Sequence, residues 1–249
     1  MEQKIKDIRR RAAVVAPNLW MLFWLFIPSG IVESMTETQS ATGLQSVGRL
    51  LSILLMAAPV ILLWRMVPAS DLFRPAALGL GGYVLLTLTY SLIPPTQATM
   101  VAIFTVLSIL AELYSVNYQC RAYAQVLEDI DGGKAAEWLE LRKMFLMLQG
   151  LAVLAVVTQA TMASDSPVFL GVGGLMSVGA MVYGVRKVML FWSTLKLLRE
   201  LGCDEDGQPI MQISPKMKAA LGLVLIGLAA ALIIWIGSGY LNLFKDMGM

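Results

Sequence analysis

Residues 98–163 contain the stretch that decides the fold. The segment 99–118, TMVAIFTVLSILAELYSVNY, is apolar; the segment 119–143, QCRAYAQVLEDIDGGKAAEWLELRK, is polar and charged; the segment 144–162, MFLMLQGLAVLAVVTQATM, is apolar again. An apolar run of about 20 residues allows a helix to cross the hydrocarbon core of a bilayer. Within the polar part, the DGG at 131–133 is typical of a helix stop followed by a turn. We therefore predict two membrane-spanning helices joined by a helical hairpin in the cytoplasm.

The same kind of apolar run recurs along the whole chain. Apolar residues make up 57% of the sequence and charged residues 14%, with a mean hydropathy of +0.71. Soluble domains carry about a quarter of charged residues, and a soluble helix bundle would need a polar face on each helix. We predict an all-α, polytopic integral membrane helical bundle that forms a single membrane domain over 1–249. Its seven transmembrane helices are expected at about 14–35, 48–67, 75–93, 97–118, 144–163, 167–187 and 218–240.

The distribution of basic residues predicts the orientation. With the N-terminus inside, every lysine and arginine except Arg49 and Lys245 falls in a segment on the inner side. Cytoplasmic segments of membrane proteins are enriched in these residues. We therefore predict that the N-terminus is inside and the C-terminus outside. Because orientation explains the basic residues, they do not indicate binding to nucleic acid.

The residue types exclude several classes of chemistry. The chain has no histidine, which removes histidine-assisted nucleophiles and histidine-ligated metal and haem sites. Its two cysteines, Cys120 and Cys203, both fall on the predicted cytoplasmic side. We expect free thiols there, since that compartment is reducing. We predict no catalytic residue, no metal site and no cofactor.

Glu112 is the acid that lies well inside an apolar run, two-thirds of the way along the fourth predicted span. An ionised acid in the bilayer costs about 2.5–3.5 kcal/mol on insertion scales, so it should face the bundle interior. It could contact a substrate or ion, or it could belong to a structural ion pair or reach the inner interface. Arg121 is one candidate partner, and Gln149 and Gln159 could extend a polar network. The candidate intramembrane polar site consists of Glu112, Arg186, Lys187 and Asn117.

Two helical extensions, 119–143 and 188–217, are predicted to continue from the spans into the cytoplasm. Each combines an apolar face with charged residues, as expected of a surface that packs against another element. One interpretation is that these faces bind a cytoplasmic protein through Trp138, Leu141, Trp192 and Leu195. The alternative is that the two extensions pack against each other.

These features favour a multi-pass protein of the cytoplasmic cell membrane that acts as a membrane subunit of a transport or export system. It would contact the lipid bilayer and a cytoplasmic protein partner, and its glycine-rich helix faces would also allow an oligomer. The scarcity of polar residues in the spans favours a second function, a non-transporting membrane anchor or regulatory subunit of a complex. A lipid-processing membrane enzyme is the third alternative, although no acid–base pair is visible.

Overall fold

The computed structural model describes residues 2–38, 55, 57–90, 98–161 and 167–202, with five isolated residues at 206, 207, 215, 219 and 222. Side chains are described for 2–25, 57–89, 99–100, 103–155 and 171–202, and for residue 55. Most of the predicted last span, the first part of the second span, most of 203–217, and Cys203 lie outside the described residues. All regular secondary structure in the described part of the chain is helical.

The described chain forms six helices. They are α1 (Glu2–Thr38), α2 (57–65), α3 (Phe73–Tyr90), α4 (Ala98–Glu128), α5 (Gly132–Thr161) and α6 (Pro167–Glu200). Several run through both a predicted span and its predicted cytoplasmic extension without a break. Among the described residues, one segment, Gly171–Glu200, is by length and composition able to cross a membrane, and little of it is buried within the protein.

The turn between α4 and α5 is determined by Asp131. Its backbone N–H donates to the carbonyl of Leu127 (2.7 Å) and so completes the end of α4. Its side-chain Oδ1 accepts a hydrogen bond from the backbone N–H of Lys134 (3.1 Å), which caps the start of α5. One residue therefore ends one helix and begins the next. At the same end of the bundle Gly202, with a φ of +78°, ends α6 in a left-handed conformation that glycine adopts without strain.

Packing follows the order of the chain. Helix α4 contacts both α3 and α5, α5 contacts α6, and α1 closes the arrangement against α6 and, less extensively, α4. Helices α3 and α4 approach each other closely, because a Cβ at Gly79 would lie 2.9 Å from the backbone nitrogen of Ser115. At this crossing the Ser115 hydroxyl donates to the carbonyl oxygen of Ala76 (2.8 Å).

Aromatic rings form the centre of the buried core. The Tyr123 ring stacks on Trp138 with a centroid distance of 4.4 Å, and Phe191 meets Trp138 edge-on at 5.1 Å. Phe73 contacts the other side of Tyr123 at 5.1 Å. Each such pair contributes about 0.5–1.5 kcal/mol beyond its buried area. These four residues, here named the aromatic plug, connect α3, α4, α5 and α6.

The predicted partner surface needs correction. Trp138, Leu141 and Leu195 are buried in the main core, so these side chains are not presented to a partner. Trp192 alone of the four is exposed, at 55%. The reason is helical geometry. The apolar faces at the start of α5 and the end of α6 point toward each other and toward the end of α4, so they bury one another. This is the alternative arrangement, in which the extensions pack together.

Exposed and buried apolar side chains occupy different parts of the helices. Among the described residues, the exposed large apolar side chains all lie within the predicted spans, except Ile5, Leu139, Met189 and Trp192. The large, fully buried side chains of α4, α5 and α6 instead lie in the predicted cytoplasmic extensions, and include Tyr123, Leu127, Trp138, Leu141 and Leu198. The helices thus pack tightly at the predicted inner end and present apolar surface along the predicted spans.

Candidate functional site

Helices α4, α5 and α6 each contribute one row of side chains to the interface that they share, here named the seam. On each helix the seam residues recur every three or four positions, which places them on one face. The seam residues are Glu112, Val116, Cys120 and Tyr123 on α4; Trp138, Arg142, Phe145 and Gln149 on α5; and Tyr183, Lys187, Phe191 and Thr194 on α6. We name the six polar residues Glu112, Gln149, Tyr183, Lys187, Cys120 and Arg142 the polar column.

Glu112 occupies the end of the polar column farthest from the α4–α5 turn. Its Oε2 accepts a hydrogen bond from Nε2 of Gln149 across the α4–α5 contact (3.1 Å). Lys187 and Tyr183 on α6 both lie within the electrostatic reach of the Glu112 carboxylate. The Lys187 ammonium lies 5.7 Å from the centre of the Tyr183 ring. The Glu112–Gln149 hydrogen bond thus joins α4 to α5, and a phenol and a cation of α6 lie within electrostatic reach of it.

Arg186, predicted for this site, has a different partner. Its guanidinium donates to the Glu140 carboxylate and to the Met144 sulfur (3.2 Å), and the arginine–glutamate pair is largely exposed. Neighbouring positions on a helix point about 100° apart. Lys187 therefore faces the column while Arg186 faces the outer side of α5. Asn117, the remaining predicted member, is partly buried on another side of α4.

Cys120 and Arg142 form the inner part of the column. Burial raises the pKa of the Cys120 thiol to about 12, and the nearby charges of Lys187 and Arg142 only partly oppose this effect. The thiol therefore stays protonated at neutral pH and cannot serve as a thiolate nucleophile. Lys187 on α6 and Arg142 on α5 both lie within electrostatic reach of this thiol on α4.

Three buried polar atoms of the seam have no hydrogen-bond partner among the residues that the structure describes. They are the hydroxyls of Tyr123 and Tyr183 and the Nε of Arg142. A buried donor left without a partner costs about 1–3 kcal/mol, so such groups usually have a further role. For Tyr123, burial raises the pKa of the hydroxyl far above its usual value. It therefore remains a neutral donor.

The aromatic plug closes the column toward the α4–α5 turn. The indole Nε1 of Trp138 donates to the Thr194 hydroxyl (3.0 Å), and both side chains are almost fully buried. Tyr123 fills the space beside them. The polar column is therefore sealed at its inner end.

Sequence reasoning about single residues missed Arg142, Tyr183 and Cys120 as members of the site. The signal that could have found them is their helical spacing. Arg142 is four residues after Trp138, and Tyr183 is four residues before Lys187. Sequence alone does not show that these spacings bring the two helices to the same level.

Comparison of the chain with protein-family models, with curated proteins and with solved structures finds no match in any of the three.

Proposed function

We propose that the chain is a multi-pass protein of the cytoplasmic membrane, with seven spans, the N-terminus inside and the C-terminus outside. The placement of exposed apolar side chains along the predicted spans supports this proposal. Soluble monomers rarely expose contiguous apolar patches of this extent, whereas lipid tails accommodate them. The tightly packed core then lies at the cytoplasmic ends of the helices.

Cysteine accessibility tests this topology. In a chain without its native cysteines, a membrane-impermeant thiol reagent added outside should label a cysteine placed at Gln97 or Ser166. It should not label one placed at Gly133 or Asp206. Labelling at Gly133 from outside would contradict the orientation and the span count.

For the function itself, we propose a membrane subunit of a transport or export system that works with a cytoplasmic partner. The observation that carries this proposal is the hydrogen bond between Glu112 and Gln149 across the α4–α5 contact, with Lys187 of α6 within electrostatic reach of the acid. Ionisable residues within membrane spans are costly, and they commonly mark substrate or ion pathways. An acid and a base in one column can contact a charged solute, and the aromatic plug then corresponds to a closed inner gate.

The same two extensions provide the surface proposed for the cytoplasmic partner, although through different side chains. Leu139 and Trp192 are exposed on α5 and α6, outside the predicted spans. Replacing both with serine should release a partner that co-purifies in mild detergent. Leu139 and Trp192 are outside the buried core, but the Trp192 ring lies 5.4 Å from that of Phe23 on α1. Leu139→Ser alone should therefore leave the fold intact, and Trp192→Phe, which keeps a ring beside Phe23, controls for this contact.

The functional experiment compares Glu112→Gln with the wild-type chain in cells that lack the native gene. Glutamine keeps an acceptor for Gln149 and removes the charge. A role in transport predicts that the Glu112→Gln protein folds normally and retains its partner but no longer supports transport. A structural ion pair predicts a lower melting temperature that Lys187→Met restores. Glu140→Gln is the control, since its exposed pair with Arg186 should contribute at most about 1 kcal/mol.

A non-transporting anchor or regulatory subunit is the second candidate. It is favoured by the sealed inner end of the column, where Trp138 and Thr194 are buried and hydrogen-bonded to each other. Normal activity of the Glu112→Gln protein, together with an intact complex, would support this candidate over a transport role.

A further inference from the structure

Arg142 is the basic residue of the seam whose charge has no counterpart. In the part of the chain that the structure describes, no carboxylate forms an ion pair with it, and its Nε is buried without an acceptor. The neighbouring acids of its own helix are engaged elsewhere. Glu137 pairs with Lys134 (2.9 Å), and Glu140 pairs with Arg186.

Several donors and a second cation surround the same point. On α5, Arg142 lies on the same face as Trp138, which is hydrogen-bonded to Thr194, and Phe145, whose ring lies 5.4 Å from that of Tyr183. This face is turned toward Tyr183 and Lys187 of α6, and among the described residues the Tyr183 hydroxyl also has no hydrogen-bond partner. The Arg142 guanidinium, with Lys187 and the Tyr183 hydroxyl beside it, can bind an anion with several acceptor oxygens, although Lys187 also lies within electrostatic reach of the Glu112 carboxylate. Guanidinium groups bind phosphate oxygens with particularly good geometry.

The position of this cluster relative to the predicted membrane spans indicates the source of the anion. Arg142 lies two residues before the fifth predicted span, Lys187 is the last residue of the sixth, and Cys120 is two residues after the fourth. All three therefore reach the predicted inner interface. Cation–aromatic pairs, which are typical of membrane interfaces, occur at the same predicted level: Arg74 over Trp64, Arg121 over Tyr118 and Lys187 over Tyr183.

We propose that Arg142, with Lys187 and Tyr183, binds the phosphate group of an anionic phospholipid of the inner leaflet. The lipid phosphate accepts a hydrogen bond from the Arg142 guanidinium and neutralises its charge, with which no described carboxylate forms an ion pair. Its acyl chains lie along the exposed apolar surface of α5 and α6, where Met147 and Met181 are exposed. This inference rests on the membrane placement in the proposed function, but not on transport.

The test measures lipid binding to the purified full-length protein in detergent. Dioleoylphosphatidylglycerol and dioleoylphosphatidylcholine are added separately, and retained lipid is measured by native mass spectrometry together with the melting temperature. The wild-type chain should retain the anionic lipid preferentially. Arg142→Gln should weaken this binding about tenfold or more, as expected for loss of a charged hydrogen bond. Arg142→Lys keeps the charge and should lie between the two.

Arg121→Gln is the matched control, because Arg121 is a basic residue of the same interface on the exposed side of α4. It should bind the anionic lipid within about twofold of the wild type, since exposed charges contribute little. Equal loss in Arg121→Gln and Arg142→Gln would overturn the site, because the attraction would then be a general property of the basic surface. Equal retention of the two lipids by the wild type would overturn it as well.

A second experiment distinguishes a bound lipid from a bound free anion. Inorganic phosphate, with ionic strength matched by chloride, should neither raise the melting temperature nor displace the lipid. If it did both through Arg142, the ligand would be free phosphate and the lipid assignment would be wrong. If Arg142→Gln fails to fold, the lipid preference of Arg142→Lys relative to Arg121→Gln decides the question. The measurement involves neither a transported solute nor a partner, so its outcome is independent of the transport proposal.

Discussion

The indole nitrogen of Trp138 donates a hydrogen bond to the hydroxyl of Thr194 across 3.0 Å, at a point where both side chains are 1% exposed. This bond joins α5 to α6 between residues 56 positions apart in the chain. Because the aromatic plug packs around it, the bond sets the register of the two helices at the inner end of the polar column.

Thr194→Val tests this bond. Valine preserves the shape of threonine but leaves the indole N–H buried without an acceptor, so we expect a loss of about 1–3 kcal/mol. The neighbouring variant Ser193→Ala is the control, since the Ser193 hydroxyl donates to a carbonyl of its own helix, that of Leu190. Unfolding in mixed detergent micelles measures both, and equal stability of the two variants would contradict the proposed importance of the bond.

Leu141 and Leu139 test whether the hairpin packs internally. Leu141 is fully buried, whereas Leu139, two residues earlier on the same helix, is 38% exposed. Leu141→Ala should cost about 2–5 kcal/mol through lost burial and a cavity, and Leu139→Ala should cost much less. The yield of folded protein and its melting temperature report the difference. An intact fold in Leu141→Ala with loss of a partner would support the docking role predicted from sequence.

The α3–α4 crossing predicts opposite results for two glycines of one helix. A Cβ at Gly79 would lie 2.8 Å from a ring carbon of Tyr114 and 2.9 Å from the backbone nitrogen of Ser115, whereas nothing lies within 4 Å of a Cβ at Gly82. Gly79→Ala should therefore destabilise by about 1–3 kcal/mol through overpacking. Gly82→Ala should be neutral or stabilise by up to about 1 kcal/mol, because alanine favours helix. Melting temperatures in one detergent rank the variants, and the reverse order would contradict this crossing.

The first turns of α1 should detach from the α4–α5 turn in acid. Lys4 Nζ lies 2.8 Å from Asp129 Oδ1, and Arg11 contacts the other carboxylate oxygen at 3.8 Å. The hydrogen bond and charge of Lys4, with a smaller contribution from Arg11, lower the pKa of Asp129. An aspartate with a lowered pKa in the folded state stabilises the contact above its unfolded pKa of about 3.9. That stabilisation is lost as the pH falls through the lower folded value.

Hydrogen exchange of residues 2–11 measures this detachment. The backbone amides of this segment should be protected from exchange at neutral pH. Their protection should decrease below about pH 4 and at high salt, which screens exposed charges. Asp129→Asn should show weak protection at every pH. Asp7→Asn is the control, because Asp7 pairs with Arg11 within α1. Protection in Asp129→Asn equal to that of the wild type would show that apolar packing alone holds the segment.

The sequence alone determined the helical class and the positions of several helix ends, because apolar run length and turn chemistry are local properties. The end of α4 and the start of α5 at the DGG turn are of this kind. Glu112 was recognisable as a candidate site residue for the same reason, since a single acid in an apolar run is costly wherever the run packs.

Only the tertiary structure decided which residues meet. Whether Glu112 meets Lys187 or Arg186 depends on a rotation of about 100° between adjacent helix positions, and only the packing of α6 against α5 determines it. The same packing buried Trp138, Leu141 and Leu195, because contact between two apolar helix faces removes their surface from water, which is favourable. It also brought Arg142 to the level of Lys187, a long-range relationship that no local pattern contains.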